Sequence, residues 1–189
     1  MNLGSYYAYV QKMEESEKMY LRSLEIRERL AKSNPAQFEP DLARTAMNLG
    51  LFYSDVQKMG DSEKMYLRSL EVYERLAKSN PSQFEPALAR TLGNLSFSYL
   101  FVSKYPQAAA AAERTLTLDS SKNWVRTNLG HSWLLRGEWD KAKAIYNTYI
   151  AGEKDPIEAK KTLAKDWDDL EAAGVTNKAV KKARAWLKE

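Results

Sequence analysis

Cysteine is absent from the 189 residues, which excludes disulfides, thiolate nucleophiles and cysteine-ligated zinc. Histidine occurs once, at His131, so a histidine-based metal site lacks ligands. Uncharged apolar runs of about 18 residues, the length that reads as a membrane span, do not occur. Charge of one sign is scarce too. The 29 Lys and Arg are interspersed with 25 Asp and Glu for a net +4, which weakens any electrostatic case for nucleic acid. There is no Gly-rich phosphate loop and no signal-peptide pattern. Strand signals are missing as well: no sustained two-residue alternation and no Asn-Gly or Asp-Gly hairpin turn. What these absences leave is an all-helical chain, 44% hydrophobic, with no cofactor expected and a cytoplasmic location expected.

The sequence repeats itself. Residues 2–47 align without a gap on residues 48–93, and about three quarters of the positions are identical. SEKMYLRSLE recurs at Ser16 and Ser62, ERLAKSNP at Glu28 and Glu74, and QFEP at Gln37 and Gln83. A third copy opens at Asn94 and a fourth at Asn128, so the starts are 46, 46 and 34 residues apart. Each copy reads as two helices. In the second, Leu42, Ala46, Leu49, Phe52, Tyr53 and Val56 form one apolar stripe, Gly60-Asp61 the turn, and Met65, Tyr66, Leu70, Val72, Tyr73 and Leu76 a second stripe. Asn80-Pro81 stops that helix, and Pro86 suits the first turn of the next. A helix pair cannot bury both stripes alone, so neighbouring pairs must stack.

The pattern Leu-Gly-x-x-Tyr, then a small residue, then an aromatic, resembles the tetratricopeptide repeat. It runs Leu49, Gly50, Tyr53, Ser62, Tyr66 in copy two and Leu129, Gly130, Trp133, Ala142, Tyr146 in copy four. Copy three, with Leu95, Ser96, Tyr99, Ala108 and Ala112, lacks the glycine and the late aromatic. The 46-residue copies are similar to the longer repeats of kinesin light chains and bacterial signalling proteins. The resemblance implies a right-handed α-solenoid of antiparallel helix pairs, with repeats at about 1–34, 40–80, 86–119 and 122–152. Residues 153–189 read as a capping helical pair: Asp155-Pro156 opens one helix, Gly174 ends it, and Thr176 caps the last. Ten helical segments are expected in all. Copy one begins in mid-helix, which implies either a piece of a longer array or a shortened first repeat.

Candidate catalytic groups are few. His131 has no serine or carboxylate beside it in the sequence, and adjacent pairs such as Glu14-Glu15 and Asp168-Asp169 do not face each other on a helix. An enzyme is not expected. The C-terminal run Lys178, Lys181, Lys182, Arg184, Lys188 lies opposite an apolar stripe and reads as a solvated face rather than a nucleic-acid stripe.

The informative constellation is polar. In every copy an asparagine precedes the leucine: Asn2, Asn48, Asn94 and Asn128. Turned about 100° from that leucine, these amides would line the inner curve. An amide offers both donor and acceptor, as a peptide backbone requires, and the resemblance implies such a ladder along a bound extended peptide. Duplication and local hydrogen bonding between helices are the competing explanation. On the same face lie Ser5, Leu51, Phe97 and His131 three residues later, and Arg44, Arg90 and Trp124 four residues earlier. The arginines could pair with ligand carboxylates or with nearby glutamates. The expected function is a scaffold holding a partner protein or extended peptide in a concave groove, with no nucleic acid or membrane partner. The alternative is an architectural, self-associating or regulatory module of a larger signalling or effector protein.

Overall fold

The structure is a computed structural model that describes residues 3–175 and 177–188, with side chains from residue 12 onward. Among the described residues there are nine helices and no strand: α1 (Leu3–Ser33), α2 (Pro35–Asp55), α3 (Met59–Ser79), α4 (Pro81–Phe101), α5 (Tyr105–Leu118), α6 (Val125–Leu135), α7 (Trp139–Ala151), α8 (Pro156–Ala172) and α9 (Lys178–Leu187). They form two compact units, residues 1–84 and 85–189.

In the first unit, α1, α2 and α3 pack in chain order. The stripe expected for α2 supplies the core: Ala46, Leu49 and Tyr53 bury against Leu24 of α1, with Tyr20, Phe52 and Met65 at the margin. Ion pairs tie the edges, Lys58 to Glu17 at 2.9 Å, Arg75 to Glu39 at 2.6 Å, and Arg68 to Glu28. The Asn-Pro signals act more tightly than the sequence suggests. Asn34 caps α2 by accepting from the Gln37 N–H, and Pro35 is already its first residue. Likewise Asn80 Oδ1 accepts from the Gln83 N–H, and α4 starts at Pro81 rather than near Pro86. Pro40 and Pro86 therefore lie inside their helices, one turn from the start, where a single lost N–H bond is tolerated.

The second unit holds most of α4 and all of α5–α9. Ala109, Ala112, Val125 and Leu129 form one cluster between α5 and α6. A larger one gathers Leu134, Tyr146, Leu163, Trp167, Leu170 and Val180, which seats α8 and α9 on the last repeat. The cap of α9 is Asn177, whose Oδ1 accepts from the Ala179 N–H while its Nδ2 donates to the Leu135 carbonyl. Thr176, expected as that cap, lies outside the described residues. Gly174 ends the preceding segment at φ +79°.

The turn between the two helices of a copy uses one left-handed residue at a constant register. It is Gln57 (φ 61°), Ser103 (φ 59°) and Gly137 (φ 80°), separated by 46 and 34 residues like the repeats themselves. Only the last is a glycine. Copy one departs from the expectation of two helices, because α1 runs unbroken through the turn register. It keeps Val10, Gln11, Lys12 and Met13 but has Glu14-Glu15 where copy two has Gly60-Asp61. The glutamates favour continued helix over Gly and Asp by roughly 1 kcal/mol together. A left-handed glutamine would cost about 1 to 2 kcal/mol more.

Two outcomes follow from this packing. Ser103→Gly, by relieving the left-handed strain, should stabilise the chain by up to about 1 kcal/mol and raise the midpoint of a thermal melt. A lowered midpoint would show that the turn is not strained. Tyr66 is 1% exposed, with its ring on Gly50, so Tyr66→Ala should cost about 3 kcal/mol in denaturant unfolding.

Candidate interaction surface and the buried polar centre

The close fit of each helix pair decides which residues reach the surface. A Cβ on Gly50 would lie 2.8 Å from the Tyr66 ring, and the Ser62 hydroxyl donates to the Gly50 carbonyl at 2.8 Å. A Cβ on Gly130 would collide with the Tyr146 ring in the same way. With the glycine face turned to the partner helix, the positions one residue ahead of each leucine are rotated outward in α2 and α4.

In the first unit, Arg44, Asn48 and Leu51 share one exposed stripe of α2 at four- and three-residue steps. Arg44 is paired with Asp41 at 2.6 Å. That arginine thus takes an aspartate of its own helix rather than a glutamate. In the second unit, α4 repeats the stripe with Arg90 exposed and Asn94 and Phe97 half-buried. The Phe97 ring lies 4.8 Å from that of Phe101, which extends an apolar strip. Trp124, 41% exposed, sits at the start of α6 with its ring edge against Gly93. Asn2 and the side chain of Ser5 lie outside what the structure describes.

Copy four breaks the expected ladder. Asn128 is 3% exposed, and its Nδ2 donates to the Gly93 carbonyl at 3.2 Å and to Ser96 Oγ at 2.8 Å. Both partners belong to α4, so this amide brackets two helices and is not turned to solvent. The competing explanation from sequence, local bonding between helices, describes Asn128. Copy three supplies the acceptor hydroxyl because Ser96 stands where copies two and four have glycine.

His131 is likewise not a groove residue. It is 1% exposed and lies between α7 and α8. Its Nδ1 is 2.8 Å from the Tyr146 hydroxyl and accepts from Trp167 Nε1 at 3.1 Å, while Nε2 faces Asp166 Oδ2 at 3.2 Å. Indole N–H can only donate, and besides Nδ1 it has the Tyr146 hydroxyl oxygen within reach at 3.4 Å. Burial holds the Tyr146 phenol well above its ordinary pKa, and it stays protonated. A carboxylate, an imidazole and a phenol thus meet, but around them are Leu163, Trp167 and Tyr149 rather than an open cleft. The arrangement docks the C-terminal helices onto the last repeat. Sequence reading missed it because Asp166 and Trp167 lie 35 and 36 residues from His131.

Two further features have no counterpart in the sequence reading. Ile157, Ala164 and Leu187 floor a groove between α8 and α9 rimmed by Lys160, Lys161, Arg184 and Lys188. Two of these cations are engaged within the chain: Arg184 by Asp168 and Glu171, and Lys161 by Glu158. Tyr53, buried in the first unit, has its phenol pushed up to about 12 by burial and then by the neighbouring Glu17 carboxylate. Among the described residues no cluster of His, Asp and Glu could hold a metal ion, and no helix is long and apolar enough to cross a membrane.

These placements separate the asparagines by experiment. Asn128→Ala should destabilise the chain by about 1 to 3 kcal/mol, since it strips a buried bracket. Asn48→Ala, on an exposed face, should stay within about 0.5 kcal/mol of wild type. His131→Ala should cost about 2 to 4 kcal/mol through a cavity and the loss of its hydrogen bonds to Tyr146, Trp167 and Asp166. Equilibrium unfolding in urea, followed by tryptophan fluorescence, reads all three. Equal effects for the two asparagines would contradict the burial difference.

Comparison with known proteins bears on the whole chain. Residues 1–36 and 42–81 match the family described as Tetratricopeptide repeat. No curated protein sequence matches. Among solved structures, MamA superposes with a TM-score of 0.53 at 18% identity, over 100% of this chain and 99% of MamA. BtubC (BKLC) from P. vanneervenii superposes with a TM-score of 0.56 at 17% identity, over 85% of this chain and 65% of BtubC. At these identities the likeness is one of fold. The first two copies thus match the tetratricopeptide repeat in sequence, a repeat that generally serves in protein–protein interaction scaffolds, and the chain shares its fold with MamA and BtubC.

Proposed function

We propose that the chain is an adaptor that binds an extended peptide segment of a partner protein on the exposed stripe of α2, with the like stripe of α4 a second such surface within its own unit. The observation that supports this is the recurrence of one pattern at one register on both helices. Arginine, then asparagine four residues later, then a large apolar residue three further on, reads Arg44, Asn48, Leu51 and Arg90, Asn94, Phe97. Asparagine is a mediocre helix former. Two surface copies in register suit a role in which each amide takes one peptide unit by its C=O and N–H. The apolar residue would receive a ligand side chain. The arginine, exchanging Asp41 for a ligand carboxylate in the case of Arg44, would favour acidic sequences. Asn128 is left out of the ladder, because its donors are committed to α4.

Peptides selected by display on the intact chain and titrated by calorimetry test the proposal. Asn48→Ala and Asn94→Ala should each weaken binding by about 1 to 3 kcal/mol with melting unchanged. The loss should be largely independent of the peptide's side chains. Arg44→Ala and Arg90→Ala should instead weaken acidic peptides selectively and flatten the salt dependence. Wild-type binding by both asparagine variants would remove this face as the site.

A further inference from the structure

The internal duplication allows the same ten residues, SEKMYLRSLE, to be compared in two surroundings. In α3 the face of this segment is covered. Ser62 and Ser69 are 0% exposed, Tyr66 1% and Val72 7%, and α2 supplies the cover at Gly50, which receives both the Ser62 hydroxyl and the Tyr66 ring. In α1 the corresponding face is open. Ser16 is exposed, Tyr20 and Ser23 are half-buried, and Ile26 is 38% exposed. Lys12, Glu15, Ser16, Met19, Tyr20 and Ser23 line a groove of about 600 Å³ there.

The cause is the missing turn. In copy two the Leu49-Gly50-x-x-Tyr53 segment folds back on the helix that follows it. In copy one the matching segment, with identical Leu3, Gly4, Tyr7 and Val10, continues in line with that helix and is carried away from it. A straight helix of 31 residues is about 46 Å long, so its first third cannot reach its own second half. The chain therefore carries both the seat and the sequence that fills such a seat in copy two, but on one rigid element that prevents them from meeting.

We propose that residues 3–10 of a second copy of this chain occupy the open face of α1, in a reciprocal exchange that forms a two-fold dimer. Each molecule's first segment takes, on its partner, the place that Leu49 to Val56 takes on α3. Exchange of an identical element is a low-cost route to dimers, because the contacts are those the sequence already encodes. The occupant follows from the duplication: the seat is identical over SEKMYLRSLE, and the contacts expected are Gly4 with Ser16 and Tyr20, as Gly50 meets Ser62 and Tyr66. This interface is separate from the peptide stripes of α2 and α4 and can stand or fall without them.

Light scattering coupled to size exclusion, on the intact chain without peptide, tests it. The expected mass is twice 21.6 kDa. Installing the copy-two turn by Glu14→Gly with Glu15→Asp should let the segment fold back and give a monomer of unchanged helicity by circular dichroism. Ser16→Trp is the second variant. Ser16 is exposed in the single chain, so the substitution is harmless to the fold, but it fills the seat and should also give a monomer. A monomeric wild type would overturn the proposal, leaving the face to some other occupant. So would a dimer that survives Ser16→Trp, whose interface must lie elsewhere. Peptide affinity measured in parallel should not change in either variant.

Discussion

The closest constraint in this protein is the contact between a small residue on the first helix of a pair and a side chain on the second. Gly50 against Tyr66 and Gly130 against Tyr146 leave no room for a Cβ. Such an approach buries a whole aromatic ring in each pair, which accounts for Tyr66 and Tyr146 being among the largest fully buried side chains. It also sets the rotation of each first helix about its axis. Once Leu49 and Gly50 face inward, Arg44, Asn48 and Leu51 must face out. The candidate binding stripe is a consequence of the packing contact.

Meeting that constraint requires the chain to reverse within three residues, and the reversal has an energetic cost. A left-handed residue stands at the same register in copies two, three and four, and two of the three carry a side chain there. In copy two the burial of the second-helix aromatic Tyr66 stabilises the pair by more than the turn at Gln57 costs, so the strain persists there. Where Glu14 and Glu15 shift the local balance toward helix, as in copy one, the balance tips and the turn is lost. The outcome is one long helix with an uncovered face in place of a closed pair.

In the second unit the last pair is closed differently. There the second helix of the last pair presents Tyr146 to two further helices, and His131, Asp166 and Trp167 complete a buried polar centre. Trp186 stacks on the other side of Tyr146, at 6.0 Å between ring centroids. Polar groups in so apolar a setting confer orientation, since displacing α8 would break the bonds of His131 to Asp166 and Trp167. A histidine that invites a catalytic reading in sequence is thereby a structural pin.

Much of this architecture is written locally. The stripes on α2 and α3, the Asn-Pro stops, the Asp155-Pro156 start and the Gly174 end depend on residues within one or two turns of each other, and local rules are legible in a linear string. The exposed positions of Arg44, Asn48, Leu51 and Arg90 were likewise implied by the period of the helix. Two things were decided only by the tertiary structure. One is the unbroken course of α1, where the balance between turn strain and helix propensity is about a kilocalorie and four of the turn residues are the same in both copies. The other is the fate of Asn128 and His131, which share a helix register with the surface residues yet are buried. Their partners, Ser96 and Asp166, lie 32 and 35 residues away, and no periodicity along one helix reports what a distant helix brings against it.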